Sequence, residues 1–370
     1  MYGVAADADH FTDREEEKKR LQMNFENGIN TIIISPRRWG KTSLVNRVAE
    51  NMLTNSLVQV VRIDAFSVRT PDDFYRLLAT EIIRQTSTRL EEWVENAKRF
   101  LSSLFPVISV SPDPMNPVSL SIKSVSNNYS EEVLSMPERI AQAKGVHLVI
   151  CIDEFQQIGE LKDSLTFQKQ LRSVWQHQHN VSYCLYGSKR HLLMNMFGKR
   201  SYPFYKFGDI LFLERIPIAY WQEYISSRFV ESGRRIDTHY IEEIYSYVNG
   251  DSSYIQQLSW LVWTRTETEV TDEVLTESQN DLLTQNHALF MEQINSLSAS
   301  QIRFIKAMQA GKSVSLGHKE VIDEFELGST ANVAVLKKAL QKKGIIDIEG
   351  GRVYFSDPLF SHWLRRSAPW

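Results

Sequence analysis

Cysteine is scarce in this chain: Cys151 and Cys184 are the only two in 370 residues. A disulfide framework is therefore excluded as its source of stability. Both thiols lie in apolar runs that read as buried strands, so packed core cysteines in a reducing compartment are expected. Long hydrophobic runs are also missing; the longest, such as Val146–Ile152, are strand-length and far short of a membrane span. The amino terminus reads Met1-Tyr2-Gly3 and then turns acidic. It lacks the basic and apolar segments of a secretory signal, so no membrane is expected and the cytoplasm is the expected location. A strong charge of one sign is absent too. The 42 Lys+Arg face 45 Asp+Glu, a net charge of -3, which excludes a globally basic nucleic-acid binder. Neither an internal repeat nor a low-complexity segment interrupts the chain.

What is present is a globular composition, 42% hydrophobic and 24% charged. The length exceeds one ordinary core and implies two or three packed units. Charge is unevenly shared among them. Residues 293–370 carry 11 Lys+Arg against 7 Asp+Glu, while the remainder carries 31 against 38. The C-terminal stretch is therefore expected to meet a different partner from the rest.

Apolar, strand-length runs (Asn30–Ser35, Val58–Asp64, Val146–Ile152, Val181–Tyr186, Ile210–Leu213) alternate with segments of helical periodicity. Strands apolar throughout predict an α/β fold, a parallel sheet flanked by helices. The segment 105–123 breaks this rhythm with two alternating runs around a Pro/Asn/Asp turn, which predicts a β-hairpin insertion. From Ile218 to about Met291 the pattern is purely helical. Helices over Ser300–Gln309, Lys319–Phe325 and Thr330–Lys343, then two short strands within Gly344–Phe355, predict a winged helix-turn-helix. The expected division is 1–216, 217–292 as a helical lid, and 293–370.

The segment with the most explicit chemistry is Ser35-Pro36-Arg37-Arg38-Trp39-Gly40-Lys41-Thr42. A loop between a buried strand and a helix N-terminus presents converging N–H groups to an anion. Gly-Lys-Thr adds a cation and a magnesium-binding hydroxyl, the P-loop pattern. Amides from Arg38, Trp39, Gly40, Lys41, Thr42 and Ser43 would line phosphate oxygens of ATP. Lys41 would reach the β- and γ-phosphates, and Thr42 would ligate Mg²⁺. The first position of the pattern holds Ser35 in place of Gly, so a slightly altered start to the loop is expected. A strand ending in Asp153-Glu154 supplies the second half: Asp153 to hold Mg²⁺ through water, Glu154 to polarise the attacking water. Ser188 ends the next strand and is a candidate to contact the γ-phosphate or position the water. Arg190, Lys199, Arg200 and Lys206 are candidates for the extra positive charge such hydrolysis uses.

The runs SPRRWGKTSL, VICIDEFQQI and YGSKRHLLMNMF…PFYKFGDILFLERI resemble the archaeal-type ATPases of the AAA+/STAND group. FTDREEEKKRL resembles that group's amino-terminal box, which implies Arg14 near the nucleotide. YVNGDSSYIQQL resembles its lid motif, with Ser252 and Ser253 following Gly250-Asp251 where relatives carry Pro. Where the PFY segment usually has Arg, this chain has Lys206, which keeps the charge but loses the planar fork. The resemblance spans nearly the whole chain and implies an ATP-binding, ATP-hydrolysing switch.

Two partners remain open for the C-terminal module. In Thr330–Lys343, Val333, Leu336 and Leu340 are expected inward, with Lys337, Lys338, Lys342 and Lys343 outward. Such lysines suit the phosphates of double-stranded DNA, though only Asn332 offers itself as a base reader and only Arg352 at the wing. The alternative is a regulatory or protein-docking module, with a protein partner or a second copy of the chain.

Overall fold

A computed structural model describes residues 14–87, 89, 92, 93, 95, 96, 99, 106–110, 118–122 and 129–367. Phe11–Asp13 of the amino-terminal box and the turn of the hairpin lie outside the described residues. The chain forms two compact units, one ending at Glu214 and the other starting at Arg215.

The first unit is a five-stranded parallel sheet. Its strands are β1 (Thr31–Ile34), β2 (Val58–Asp64), β5 (His147–Asp153), β6 (Val181–Gly187) and β7 (Asp209–Phe212), in the order β2-β5-β6-β1-β7. The continuous apolar reading of these strands has a direct cause. Successive side chains point to opposite faces, and both faces are covered. Ile32, Ile34, Ile150 and Ile152 face one core with Phe74, Leu78 and Trp175. Ile33, Val149, Cys151 and Cys184 face the other with Leu44, Val45 and Val48 of α2 (Lys41–Met52). Both cysteines are free and buried.

Helix α1 (Glu15–Glu26) joins the second layer through Leu21 and Phe25. Helix α3 (Pro71–Thr86) starts at a capping box, Thr70 with Asp73. Its Gln85 side chain exchanges two hydrogen bonds with the backbone of Arg62, which occupies the free edge of β2. The hairpin pairs β3 (Pro106–Val110) antiparallel with β4 (Val118–Ile122). Helices α4 (Tyr129–Lys144), α5 (Gln157–Glu160), α6 (Ser164–Trp175) and α7 (Arg190–Gly198) complete the unit.

The second unit begins with α8 (Ile218–Glu231), α9 (Thr238–Tyr247), α10 (Ser252–Arg265) and α11 (Asp272–Asn295). It continues with α12 (Ala299–Gln309), α13 (Lys319–Glu324), α14 (Thr330–Lys342), the antiparallel pair β8 (Ile346–Glu349) and β9 (Arg352–Phe355), and α15 (Pro358–Ser367). One continuous core runs from Trp221 and Leu258 to Phe304, Leu340 and Trp363. The division expected between residues 292 and 293 falls inside α11, and the two expected modules share that core. Tyr254 donates to Asp357 at 2.6 Å and Trp363 to His287 at 3.0 Å, tying the α10–α11 bundle to the C-terminal segment. Among the described residues, no helix is long and apolar enough to cross a membrane.

Candidate nucleotide site

Parallel strands end on one side of a sheet, and ligands bind at those carboxyl ends. Here β6 lies between β1 and β5, so the chain leaving β1 at Ser35, β5 at Asp153 and β6 at Ser188 emerges side by side. The loop from Ser35 reaches α2 through two left-handed residues, Arg38 (φ 63°) and Gly40 (φ 80°). Ser35 is not among the positive-φ residues, so the glycine usual at this position is not needed for backbone freedom. Its buried hydroxyl instead lies 3.2 Å from Lys41 Nζ. Gly40 caps α2, whose first turn holds no acidic residue. The positive end of the helix dipole is thus left uncompensated.

Lys41 is only 6% exposed. Its ammonium donates to the carbonyls of Pro36 (2.6 Å) and Ser35 (3.2 Å). Burial pushes its pKa down to about 8, although Asp153 and Glu154 favour the charged form. Thr42 Oγ1 donates to Asp153 Oδ2 at 2.8 Å, and the Glu154 amide donates to Asp153 Oδ1 at 2.7 Å. Burial pushes the Asp153 carboxyl up, against the pull of those two hydrogen bonds. Glu154 has left-handed backbone (φ 51°), and its Oε2 accepts from Ser188 Oγ at 3.2 Å and from Gln156 Nε2. Lys41, Thr42, Asp153, Glu154 and Ser188 therefore form one cluster.

Arg14, which the amino-terminal motif implies near the nucleotide, packs against the phosphate loop. It is 3% exposed, and its guanidinium donates to the carbonyls of Trp39 (3.2 Å) and Glu214 (2.6 Å) and to Glu17 (2.8 Å). It thus touches the phosphate loop through the loop's own backbone. Arg190 opens α7 just after Ser188. Lys199, Arg200 and Lys206 are exposed on the segment between α7 and β7, with Lys206 Nζ 5.8 Å from the Tyr205 ring centre. Sequence reasoning did not single out Gln156, which follows Asp153-Glu154 in the run Phe155-Gln156-Gln157-Ile158.

In the second unit Val333, Leu336 and Leu340 are buried, and Lys338, Lys342 and Lys343 are exposed. Asn332, the expected base reader, donates its amide to the carbonyl of Leu327 at 2.7 Å, a local hydrogen bond that engages one of its two amide hydrogens.

Several solved structures share this architecture. A Walker-type ATPase of Pyrococcus abyssi aligns over 97% of both chains with a TM-score of 0.63 and 17% identity. The ORC2 protein of Aeropyrum pernix, solved as ADPNP-ADP complexes, aligns over 95% of this chain and 93% of its own, with a TM-score of 0.55 and 12% identity. The ORC1 protein of Aeropyrum pernix, solved in complex with DNA, has a TM-score of 0.50 and 12% identity over 95% of this chain and 92% of its own. These likenesses establish the P-loop NTPase fold. An uncharacterized ATP-binding protein of Methanocaldococcus jannaschii is 28% identical over 173 residues. The match spans 42% of this chain and 45% of that relative, less than half the length of each. The family described as the ATPase domain predominantly from Archaea matches residues 11–258, which covers the phosphate loop, Asp153-Glu154 and Ser188; the chain belongs to that family.

Proposed function

We propose that this chain binds ATP with Mg²⁺ and hydrolyses it, acting as a nucleotide-driven switch of the AAA+/STAND kind. The observation that carries this reading is the 2.8 Å hydrogen bond from Thr42 to Asp153, which unites the phosphate loop with the acidic strand end. An isolated hydroxyl–carboxylate pair is a hard-oxygen set, the chemistry Mg²⁺ accepts when phosphate and water complete its shell. When bound there, Mg²⁺ supplies neutralisation of charge on the β- and γ-phosphates. The chain's own groups do the rest. The amides of Arg38 to Ser43 cradle phosphate oxygens, and Lys41 turns its ammonium from Pro36 and Ser35 to the β- and γ-phosphates. Glu154 orients the water, and Ser188 steadies Glu154 or meets the γ-phosphate. The basic segment from Arg190 to Lys206, or a second copy of the chain, completes the positive charge.

Titration calorimetry tests the metal assignment. Thr42→Val is expected to bind ATP without Mg²⁺ like the parent and to lose about tenfold of the Mg²⁺-dependent gain. An unchanged Mg²⁺ increment would contradict the assignment.

The C-terminal segment is read as a winged helix, with α14 as its outer helix and β8–β9 as its wing. Its exposed lysines suit the backbone of double-stranded DNA. The engagement of Asn332 and the 63% exposure of Val335 on α14 favour the second reading, a regulatory module that docks on protein. The salt dependence of duplex binding separates the two. A steep slope that flattens in Lys337→Glu/Lys338→Glu supports DNA, and no binding at low salt sinks the DNA reading. A cytoplasmic location accords with both.

A further inference from the structure

Gln156 is the most anomalous buried polar group near the site. Its side chain is fully buried. Its Nε2 donates to Glu154 Oε2, yet its Oε1 has no hydrogen-bond partner. Burying an amide oxygen without a partner costs free energy, and an apolar side chain of the same shape would avoid that cost. The amide is therefore accounted for by its other end, which grips the carboxylate.

The surrounding geometry fixes that grip from three sides. The amide of Phe155 donates to the carbonyl of Tyr186 at 2.9 Å, which ties the segment after Asp153-Glu154 to the end of β6. The left-handed backbone at Glu154 turns its side chain at the strand end. The Gln156 amide lies over Gly187: a Cβ built there would meet Gln156 Oε1 at 1.7 Å and Cδ at 2.9 Å. Gly187 has no positive φ, so its lack of a side chain makes room for Gln156, not for a special backbone conformation. Ser188, the next residue, donates to the same Oε2. One carboxylate oxygen thus receives two donors, and Oε1 of Glu154 is left for another hydrogen bond.

We propose that Gln156 is a positioning residue for ATP hydrolysis: seated on Gly187, it acts with Ser188 to hold Glu154 Oε2 so that Oε1 faces the attacking water. This rests on the ATPase reading above. It assigns Gln156 no contact with nucleotide, so its loss acts on turnover and not on binding.

The test uses the full chain with MgATP and reads kcat and ATP affinity separately. Gln156→Ala and the volume-conserving Gln156→Met are each expected to lower kcat by roughly 10- to 100-fold, the scale of one hydrogen bond to a charged group. ATP affinity should stay within about twofold. Gly187→Ala is expected to lower kcat similarly in the parent by displacing the amide, and to add nothing in a Gln156→Ala background. In a Glu154→Gln background, Gln156→Ala should leave the residual rate unchanged. Parent-like kcat in Gln156→Met would overturn the proposal. So would an equal proportional loss in the Glu154→Gln background, which is the mark of a merely structural role. A parent chain that hydrolyses no ATP would overturn the ATPase reading and this proposal together. Hydrolysis by the parent with unchanged variants overturns the proposal alone.

Discussion

The two units build cores of similar character but treat buried charge differently. Among the described residues, the buried charged side chains are Arg14 and Lys41. Both belong to the first unit, and both hydrogen-bond to the backbone of the phosphate loop. In the second unit the buried polar residues are Ser259, Thr266, Ser278 and Gln301. Thr266 and Ser278 bond back into their own helices, and Gln301 closes the capping box of α12. Burying a charge is expensive unless it is paired and hydrogen-bonded. The first unit bears that cost at its strand ends, where the phosphate loop lies; the second uses polarity to shape helices. The contrast matches the proposed placement of the nucleotide chemistry in the first unit.

The comparison breaks if core loss in the second unit behaves like site loss in the first. Phe304, fully buried in α12, is a pure packing residue. Phe304→Ala should destabilise the second unit by about 3–5 kcal/mol, read by chemical denaturation. Lys41→Met should instead leave folding intact and weaken MgATP binding about 100-fold, roughly 2.7 kcal/mol, read with a fluorescent nucleotide. Arg14→Met sharpens the contrast, because Arg14 is buried yet indirect. Losing its grip on Trp39 and Glu214 should cost about 1–3 kcal/mol of stability and weaken ATP binding less than Lys41→Met does.

The smallest effect is a pH dependence at the start of β7. Burial alone would raise the Asp209 carboxyl, but hydrogen bonds from Arg20 and Asn24 outweigh it and hold its pKa below the ordinary range. A depressed carboxyl stabilises the fold fully above its unfolded value near ~3.9 and loses that contribution as pH falls through the lower folded value. Arg20 is 52% exposed, so screening keeps the gain to about 0.5–1 kcal/mol. Asp209→Asn should lower stability by that amount at pH 7, and the difference should shrink as pH falls below ~3.9 in denaturant titrations.

The central strands were legible because doubly covered parallel strands read as apolar runs; the edge strand Val58–Asp64, interrupted by Gln59 and Arg62, falls where expected and the other strands within a residue or two. The cluster of Lys41, Thr42, Asp153, Glu154 and Ser188 was legible because each residue sits at a strand end or helix start that its motif marks. Helices α7 and α15 and the short α5 were not foreseen. In α5 and α7, nine residues or fewer give periodicity too little length to register. Contacts across the chain were hidden for another reason. Arg14 bonding to Glu214 and Gln156 seated over Gly187 are set by tertiary position, which residue type does not reveal. The division expected at residue 292 follows a change of pattern along the chain, whereas one packed core runs through that point.

The proposed mechanism stands on Glu154 turning over the nucleotide that Lys41 holds. The most direct test is a single-turnover measurement with radiolabelled ATP and Mg²⁺ on the parent and on Glu154→Gln. Glu154→Gln is expected to retain parent ATP affinity while hydrolysis slows by about 10²- to 10⁴-fold, leaving intact ATP bound. Hydrolysis by Glu154→Gln at the parent rate would contradict it.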